Sequence, residues 1–138
     1  MYHTLIIVGN LGRDPEMRYT PSGQAVTNFP VATNRQYTSS DGTQVKETIW
    51  FRVSTWGKSA ETCNQYLHKG SKVLVEGRLV PDAKTGGPRV WQGQNGYGAS
   101  FEVSASTVRF LSTRGEDDGG SYAGEGAGQM PESDEIPF

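Results

Sequence analysis

Strict alternation of apolar and polar positions marks residues 48–56 (TIWFRVSTW) as a strand with two different faces. The apolar face, which predicts a buried surface, consists of Ile49, Phe51 and Val53. The opposite face carries Trp50, Arg52, Ser54 and Trp56. Two large aromatic side chains with a cation between them are typical neither of a core nor of an ordinary solvated surface. The second face is therefore a candidate binding surface.

Four further segments have the β-branched and apolar content of strands. They are residues 4–8 (TLIIV), 25–34 (AVTNFPVATN), 72–79 (KVLVEGRL) and 101–111 (FEVSASTVRFL). Pro30 interrupts the second of these, which predicts an edge position or a bulge at that point. Residues 39–44 (SSDGTQ) predict a hairpin loop. The run at residues 5–8 is apolar on both faces, which is consistent with a strand that a neighbouring subunit covers.

A helical period replaces the strand pattern between Lys58 and His68. The residues at helical spacing, which predict the buried face, are Ala60, Cys63 and Leu67. Glu61 is expected in the first turn, Lys69 near the end, and Gly70 as the stop. Cys63 is expected to be a small buried apolar side chain.

Five strands with one helix between the third and the fourth follow the order of an OB-fold, a partly open β-barrel. The predicted fold class is therefore all-β, a five-stranded OB-fold barrel with one short helix. Residues 81–100 (PDAKTGGPRVWQGQNGYGAS) are rich in Gly and Pro and predict a long projecting hairpin before the last strand. This segment carries Trp91 and Tyr97.

Charge divides the chain into two parts. All 13 Lys and Arg residues lie between Arg13 and Arg114, together with eight of the 15 acidic residues. Residues 1–114 thus carry a charge of +5 and residues 115–138 a charge of −7. We predict one domain over residues 1–114 and a disordered acidic tail over residues 115–138. The asymmetry favours a polyanion as ligand of the first part and a cationic partner for the second.

Several classes of protein do not fit the sequence. The N-terminal apolar run is too short for a signal peptide and no run has the length of a membrane span, so a cytoplasmic location is expected. Cys63 is the single cysteine and there are two histidines, so neither a disulfide nor a metal cluster is expected. A phosphate-binding loop at Gly57-Lys58-Ser59 would require glycine where Arg52 stands. We predict a protein without catalytic residues, cofactor or metal.

Five blocks of the sequence resemble the bacterial single-stranded DNA-binding protein family. They are VGNLGRDPEMRYTPSG (8–23), ATNRQY (32–37), TIWFRVSTWGKSAE (48–61), YLHKGSKVLVEGRL (66–79) and DEIPF (134–138). The resemblance implies sequence-tolerant binding and protection of single-stranded DNA in replication, repair and recombination. It also implies a homotetramer in the bacterial cytoplasm, associated with the nucleoid.

The same resemblance implies which residues bind. Bases would stack on aromatic side chains while cations follow the backbone. The stacking residues would be Tyr37, Trp50 and Trp56, with Trp91 as the candidate in the long hairpin. Apart from the resemblance, the residues themselves offer ten cations for contacts with the backbone: Arg18, Arg35, Lys46, Arg52, Lys58, Lys69, Lys72, Arg78, Lys84 and Arg89. Arg35 and Arg52 are favoured because each lies two positions from a predicted stacking aromatic residue. An ordinary solvated surface is the alternative for each of the ten. A tip that recruits replication, repair and recombination proteins would consist of Asp134, Glu135, Ile136, Pro137 and Phe138.

Two alternatives remain at this point. An OB-fold accessory factor of the primosomal or RNA-binding type would have the basic sheet but would lack the acidic tip. A small nucleotide hydrolase would require the phosphate-binding loop whose spacing is wrong here.

Overall fold

The computed structural model describes residues 1–112, and the predicted tail and its tip lie outside these residues. The described chain forms seven β-strands and one α-helix. In chain order these are β1 (Leu5–Leu11), β2 (Glu16–Tyr19), β3 (Ala25–Thr38), β4 (Gln44–Trp56), α1 (Gly57–Tyr66), β5 (Lys72–Leu79), β6 (Arg89–Gly93) and β7 (Gly96–Phe110).

Five of the strands close into a barrel. Their order is β1, β5, β7, β4 and β3, and the pairs Asn10–Ala32 and Leu11–Val31 join β3 back to β1. All of these pairings are antiparallel except the parallel pairing of β4 with β7. The predicted five-stranded OB-fold barrel with one helix is confirmed. The structure adds β2, which pairs with β3, and β6, which pairs with β7 in the projecting hairpin.

Alternating side chains of the barrel strands fill one core. Its fully buried members include Phe29, Val31, Val53, Val73, Val75 and Val103. Phe51 is buried as predicted, but the prediction that Ile49 belongs to this core is wrong, because Ile49 is 43% exposed. The pairing of β4 with β7 begins at Phe51. Ile49, two residues before it, therefore has no β7 residue paired beside it.

Closure of the barrel requires glycine at position 9. There β1 crosses β3 so closely that a Cβ on Gly9 would overlap the carbonyl oxygen of Ala32 and lie 2.8 Å from Cγ1 of Val31. Since both neighbours belong to a buried part of β3, neither has room to move. A larger residue at this position would hold the two strands apart at the closing seam.

Pro30 lies within β3 without breaking the β3–β4 ladder. Its carbonyl accepts a hydrogen bond from the N–H of Gly12 at 3.0 Å. Because the nitrogen and carbonyl of one strand residue point to the same side, the Pro30 nitrogen faces the gap between β2 and the end of β1. The position is therefore a local edge, as the sequence predicts.

The helix closes one end of the barrel through Ala60 and Cys63, and the Thr27 hydroxyl donates to the Ala60 carbonyl at 2.7 Å. Burial raises the pKa of the Cys63 thiol. The predicted boundaries are wrong, because α1 begins at Gly57, which places Glu61 beyond the first turn, and ends at Tyr66. Leu67 is already extended, since its side chain turns into the core.

The predicted β3–β4 hairpin loop is present at residues 39–43, and Gln44 already belongs to β4. Asp41 organises this loop, because its carboxylate accepts hydrogen bonds from the Ser39 hydroxyl and, at 3.0 Å, from the Thr43 N–H. These bonds lower the pKa of Asp41 to about 2. Gly42 follows with a φ of 85°, a conformation that other residues rarely adopt. The two long strands thus continue beyond the barrel as a ribbon with a defined end.

Candidate nucleic-acid interface

The outer face of β4 carries Trp50, Arg52, Ser54 and Trp56. Arg52 is exposed, Trp50 is half-buried, and Trp56 is 44% exposed. The β3 residues directly opposite the two tryptophans are Ala32 and Val26, whose side chains are smaller than an indole. At a strand rise of about 3.4 Å per residue, the two indoles are anchored about 20 Å apart. The alternation predicted from the sequence is present on this face.

An open groove of about 560 Å³ runs beside Trp50 and Arg52. Residues 48–52 of β4 form one wall, and residues 99–101 at the start of the barrel part of β7 form another. Arg13, from the loop between β1 and β2, and Glu16 of β2 also line the groove, so two guanidinium groups and one carboxylate border it. Arg13 is absent from the residues predicted to bind, because the barrel alone brings its loop beside β4.

Tyr37 lies on the opposite face of the β3–β4 ribbon from Trp50. The register pairs Tyr37 with Val45 and Arg35 with Glu47. Counted in steps of two along each strand, these residues lie on the same face as the inward residues Val31 and Phe51. The Arg35 guanidinium lies 4.7 Å from the centre of the Tyr37 ring and 3.6 Å from a Glu47 carboxylate oxygen. The Tyr37 hydroxyl donates to Glu47 at 3.4 Å. The structure therefore separates Tyr37 and Arg35 from the tryptophan face of β4.

The β6–β7 hairpin continues the outer face of β4. Glu102 is in register with Arg52 and ion-pairs with Arg89 of β6 at 3.8 Å. Because residues two apart on a strand share a face, Gly98 lies on the same face of β7 as Glu102. Trp91 is the cross-strand partner of Gly98, so it lies on that face too. Trp91 is 48% exposed and packs on Gly98, where a Cβ would lie 2.7 Å from the indole. Three tryptophans thus share one face.

The predicted cations fall into two groups. Strand register puts six of them on the outer face of the sheet that carries the tryptophans: Arg18, Lys46, Arg52, Lys72, Arg78 and Arg89. The others lie elsewhere: Arg35 on the opposite ribbon face, Lys58 and Lys69 near the two ends of the helix, and Lys84 in the loop before β6.

Neither a metal-binding cluster nor a membrane-spanning helix occurs in residues 1–112. No three His, Cys, Asp or Glu side chains are grouped so that they could hold a metal ion. The one helix in this range has ten residues, and no helix here is long and apolar enough to cross a membrane.

A closed five-stranded barrel whose outer face carries two tryptophans with an arginine between them has the features of the oligonucleotide-binding β-barrels. Comparison with known proteins narrows this class. Residues 2–111 match the model of the Single-strand binding protein family, and the chain belongs to that family.

Named relatives agree with this assignment. A single-stranded DNA-binding protein of Wolinella succinogenes is 44% identical over 126 residues, which cover 91% of this chain and 73% of the relative. Single-stranded DNA-binding protein 1 of Chlorobaculum tepidum is 35% identical over 97% of this chain and 96% of its own length. A crystal structure of a deletion mutant of the single-stranded DNA binding protein from Thermus aquaticus is similar with a TM-score of 0.63 and 29% identity over 81% of this chain. The present chain spans about half (51%) of that Thermus chain.

Proposed function

We propose that this protein binds and protects single-stranded DNA without reading its sequence, and that the outer face of β4 is the centre of the binding surface. The observation that carries the proposal is the order Trp50, Arg52, Trp56 on the outer face of β4. Indole rings stack on any base, and a guanidinium between them neutralises a phosphate, so neither contact selects a sequence. The family membership of residues 2–111 supports the same role.

The groove gives the strand a path. Arg13 and Arg52 border it beside Trp50, and the outer face of the β6–β7 hairpin extends it toward Trp91. A single strand with its bases on the tryptophans would follow this face. A duplex would present stacked bases that the indoles cannot reach, so binding favours single strands. The role is one of binding in replication, repair and recombination, without catalysis, in the bacterial cytoplasm.

Replacement of Trp50 by Ala tests the proposal. Stacking of a base on an aromatic side chain contributes about 1–3 kcal/mol, so Trp50→Ala should weaken the binding of oligo(dT) about 5- to 150-fold. The barrel should remain folded, because the side chain lies on the outer face of β4. Kd from fluorescence titration and the thermal unfolding midpoint are the two measurements.

Tyr66→Ala is the matched control for this experiment. Tyr66 is an aromatic residue with an exposure of 59%, and it contacts Phe110 at the end of α1 rather than the tryptophan face. This variant should bind oligo(dT) as the unchanged protein does. If Trp50→Ala unfolds the chain without a separable loss of binding, Trp50 is a structural residue and the proposed surface is wrong.

We also propose that copies of the chain associate through β1, as a homotetramer. Ile6 and Val8 are 60% and 45% exposed on the outer face of this strand, beside the half-buried Leu74 of β5. An apolar strip on a sheet face is the type of surface that oligomers cover. One barrel holds few nucleotides, so association would allow a longer strand to be bound.

For the segment Asp134–Phe138 we propose a role in recruiting replication, repair and recombination proteins. Its support is composition alone: two acidic residues precede Ile136, Pro137 and Phe138. The acids would steer the segment to a basic surface, and the apolar residues would fill a pocket there. A segment that only solubilised the chain would not need the apolar residues.

A further inference from the structure

Two asparagine–hydroxyl pairs lie on the same outer face of β3 and β4 as the tryptophans. The Ser54 hydroxyl donates to Oδ1 of Asn28 at 2.6 Å, and the Thr48 hydroxyl donates to Oδ1 of Asn34 at 2.8 Å. In both pairs the asparagine is on β3 and its partner is directly opposite on β4. The strand register thus repeats the same contact six residues apart.

This contact fixes the direction of each amide. Because Oδ1 accepts the hydroxyl proton, the Nδ2 group is turned away from the partner. Among residues 1–112, neither Asn28 nor Asn34 has a hydrogen-bond acceptor for its Nδ2 group. The amide of Asn10 is different, since its Nδ2 donates to the Gly70 carbonyl at 3.0 Å. On the tryptophan face, the structure therefore presents two oriented donors that fold stability does not use.

The two donors alternate with the stacking residues. Along β4 the outer face runs from the Thr48–Asn34 pair to Trp50, Arg52, the Ser54–Asn28 pair and Trp56. Positions two residues apart on a strand are separated by about 7 Å, so each amide lies next to one indole. Ser104 of β7 is in register both with Ser54 of the second pair and with Arg78 of β5, so Arg78 lies two strands away from that pair on the same face. A strand stacked on both tryptophans passes over the Asn28 amide, and it meets the Asn34 amide where it continues past Trp50.

We propose that Asn28 and Asn34 are strand-binding residues whose Nδ2–H groups donate to oxygen acceptors of single-stranded DNA, and that Ser54 and Thr48 are the positioning residues for these amides. The acceptor is a phosphate oxygen or a pyrimidine carbonyl, both of which an amide N–H recognises. This proposal rests on the proposed function. It adds to stacking and charge a pair of directional contacts that fix where the strand lies along β4.

The test compares Asn28→Ala and Asn34→Ala with Asn64→Ala, which removes an exposed amide from α1 as the control. The probes are oligo(dT), oligo(dA) and an abasic oligomer of the same length. Loss of the hydrogen bond should raise Kd for each strand-face variant by about 2- to 12-fold if the acceptor is a carbonyl, and by about 12- to 150-fold if it is a phosphate oxygen. The control should be unchanged. The salt dependence should stay the same, because no charge is removed. A loss with all three probes assigns the phosphate oxygen, and a loss with oligo(dT) alone assigns the carbonyl.

The positioning role has its own measurement. Ser54→Ala should weaken binding less than Asn28→Ala does, and it should have no further effect when it is added to Asn28→Ala. If Asn28→Ala destabilises the barrel, the affinity of Asn34→Ala decides the proposal, because Asn34 is exposed. Wild-type affinity in both asparagine variants, with weakened binding in Trp50→Ala, would overturn this proposal and leave the proposed function standing. Absence of single-strand binding by the unchanged protein would overturn both.

Discussion

Arg52 shows what a single residue contributes to the site. It lies between Trp50 and Trp56 on β4, opposite Pro30. Its neighbour on β7, Glu102, forms its ion pair with Arg89 instead. Among residues 1–112, Arg52 has no carboxylate partner, so its charge is available to a phosphate. Arg35 differs, because Glu47 lies 3.6 Å away and offsets its charge.

Arg52→Gln should therefore flatten the salt dependence of binding. For single strands, log K falls with log salt by about 0.7 per phosphate neutralised, so the slope should become smaller by about that amount. Arg109→Gln is the matched control, since Arg109 is an exposed arginine of β7 in register with Leu74, away from the tryptophans. Titrations at four or more salt concentrations measure the slope. An equal slope for Arg52→Gln and the unchanged protein would assign Arg52 to the solvated surface.

At this scale, alternation along one strand predicted the outer face of β4 from the sequence. It could not place Tyr37, because the face of a β3 residue relative to Trp50 depends on the register between two strands. Nor could it find Arg13, which belongs to a loop and meets Trp50 and Arg52 through the closure of the barrel. Ile49 fits the apolar alternation, but its burial depends on how far β7 extends beside β4.

Among the elements, the β6–β7 hairpin differs most from its prediction. The sequence predicts a projecting segment, and the structure adds within it a strand of five residues that is exposed throughout. β6 and the four-residue β2 owe their strand conformation to pairing with β7 and β3. Such pairing leaves little trace in local composition. The five barrel strands were predictable because each has a buried face that imposes alternation or an apolar run.

Gly98→Ala should disturb the hairpin without disturbing the barrel. The added methyl group would lie 2.7 Å from the indole of Trp91 and would force it off the surface of the hairpin. If Trp91 stacks on a base, binding should weaken by up to about 1 kcal/mol, and the tryptophan emission should shift. Gly93→Ala is the control, since its Cβ would meet nothing closer than 3.7 Å. Unchanged emission and affinity in Gly98→Ala would remove Trp91 from the binding surface.

The whole molecule combines a basic barrel with an acidic C-terminal segment. Residues 1–114 carry +5 and residues 115–138 carry −7. An anionic segment competes weakly with DNA for a basic groove, whereas its apolar tip would matter only to another protein. The two parts should therefore respond differently to the same deletion.

Deletion of Asp134–Phe138 should preserve or slightly strengthen oligo(dT) binding and abolish the capture of replication and repair proteins from a bacterial lysate. Light scattering should give a mass near four times 15.0 kDa for both proteins, because the proposed association uses β1. Recovery of the same partners with the shortened protein would rule out recruitment by the tip. A monomer mass for the complete chain would rule out association through β1.

The parallel pairing of β4 with β7 affects when this protein can fold during its synthesis. β7 is the last strand of the barrel, and it alone joins β4 to β5. Until it has left the ribosome, β5 is held only by β1, and the core residues of β4 lack a neighbour on one side. Such contacts between distant parts of the chain form slowly. A nascent chain that ends before residue 101 therefore exposes core side chains and an unpaired strand edge, which are the features that chaperones bind.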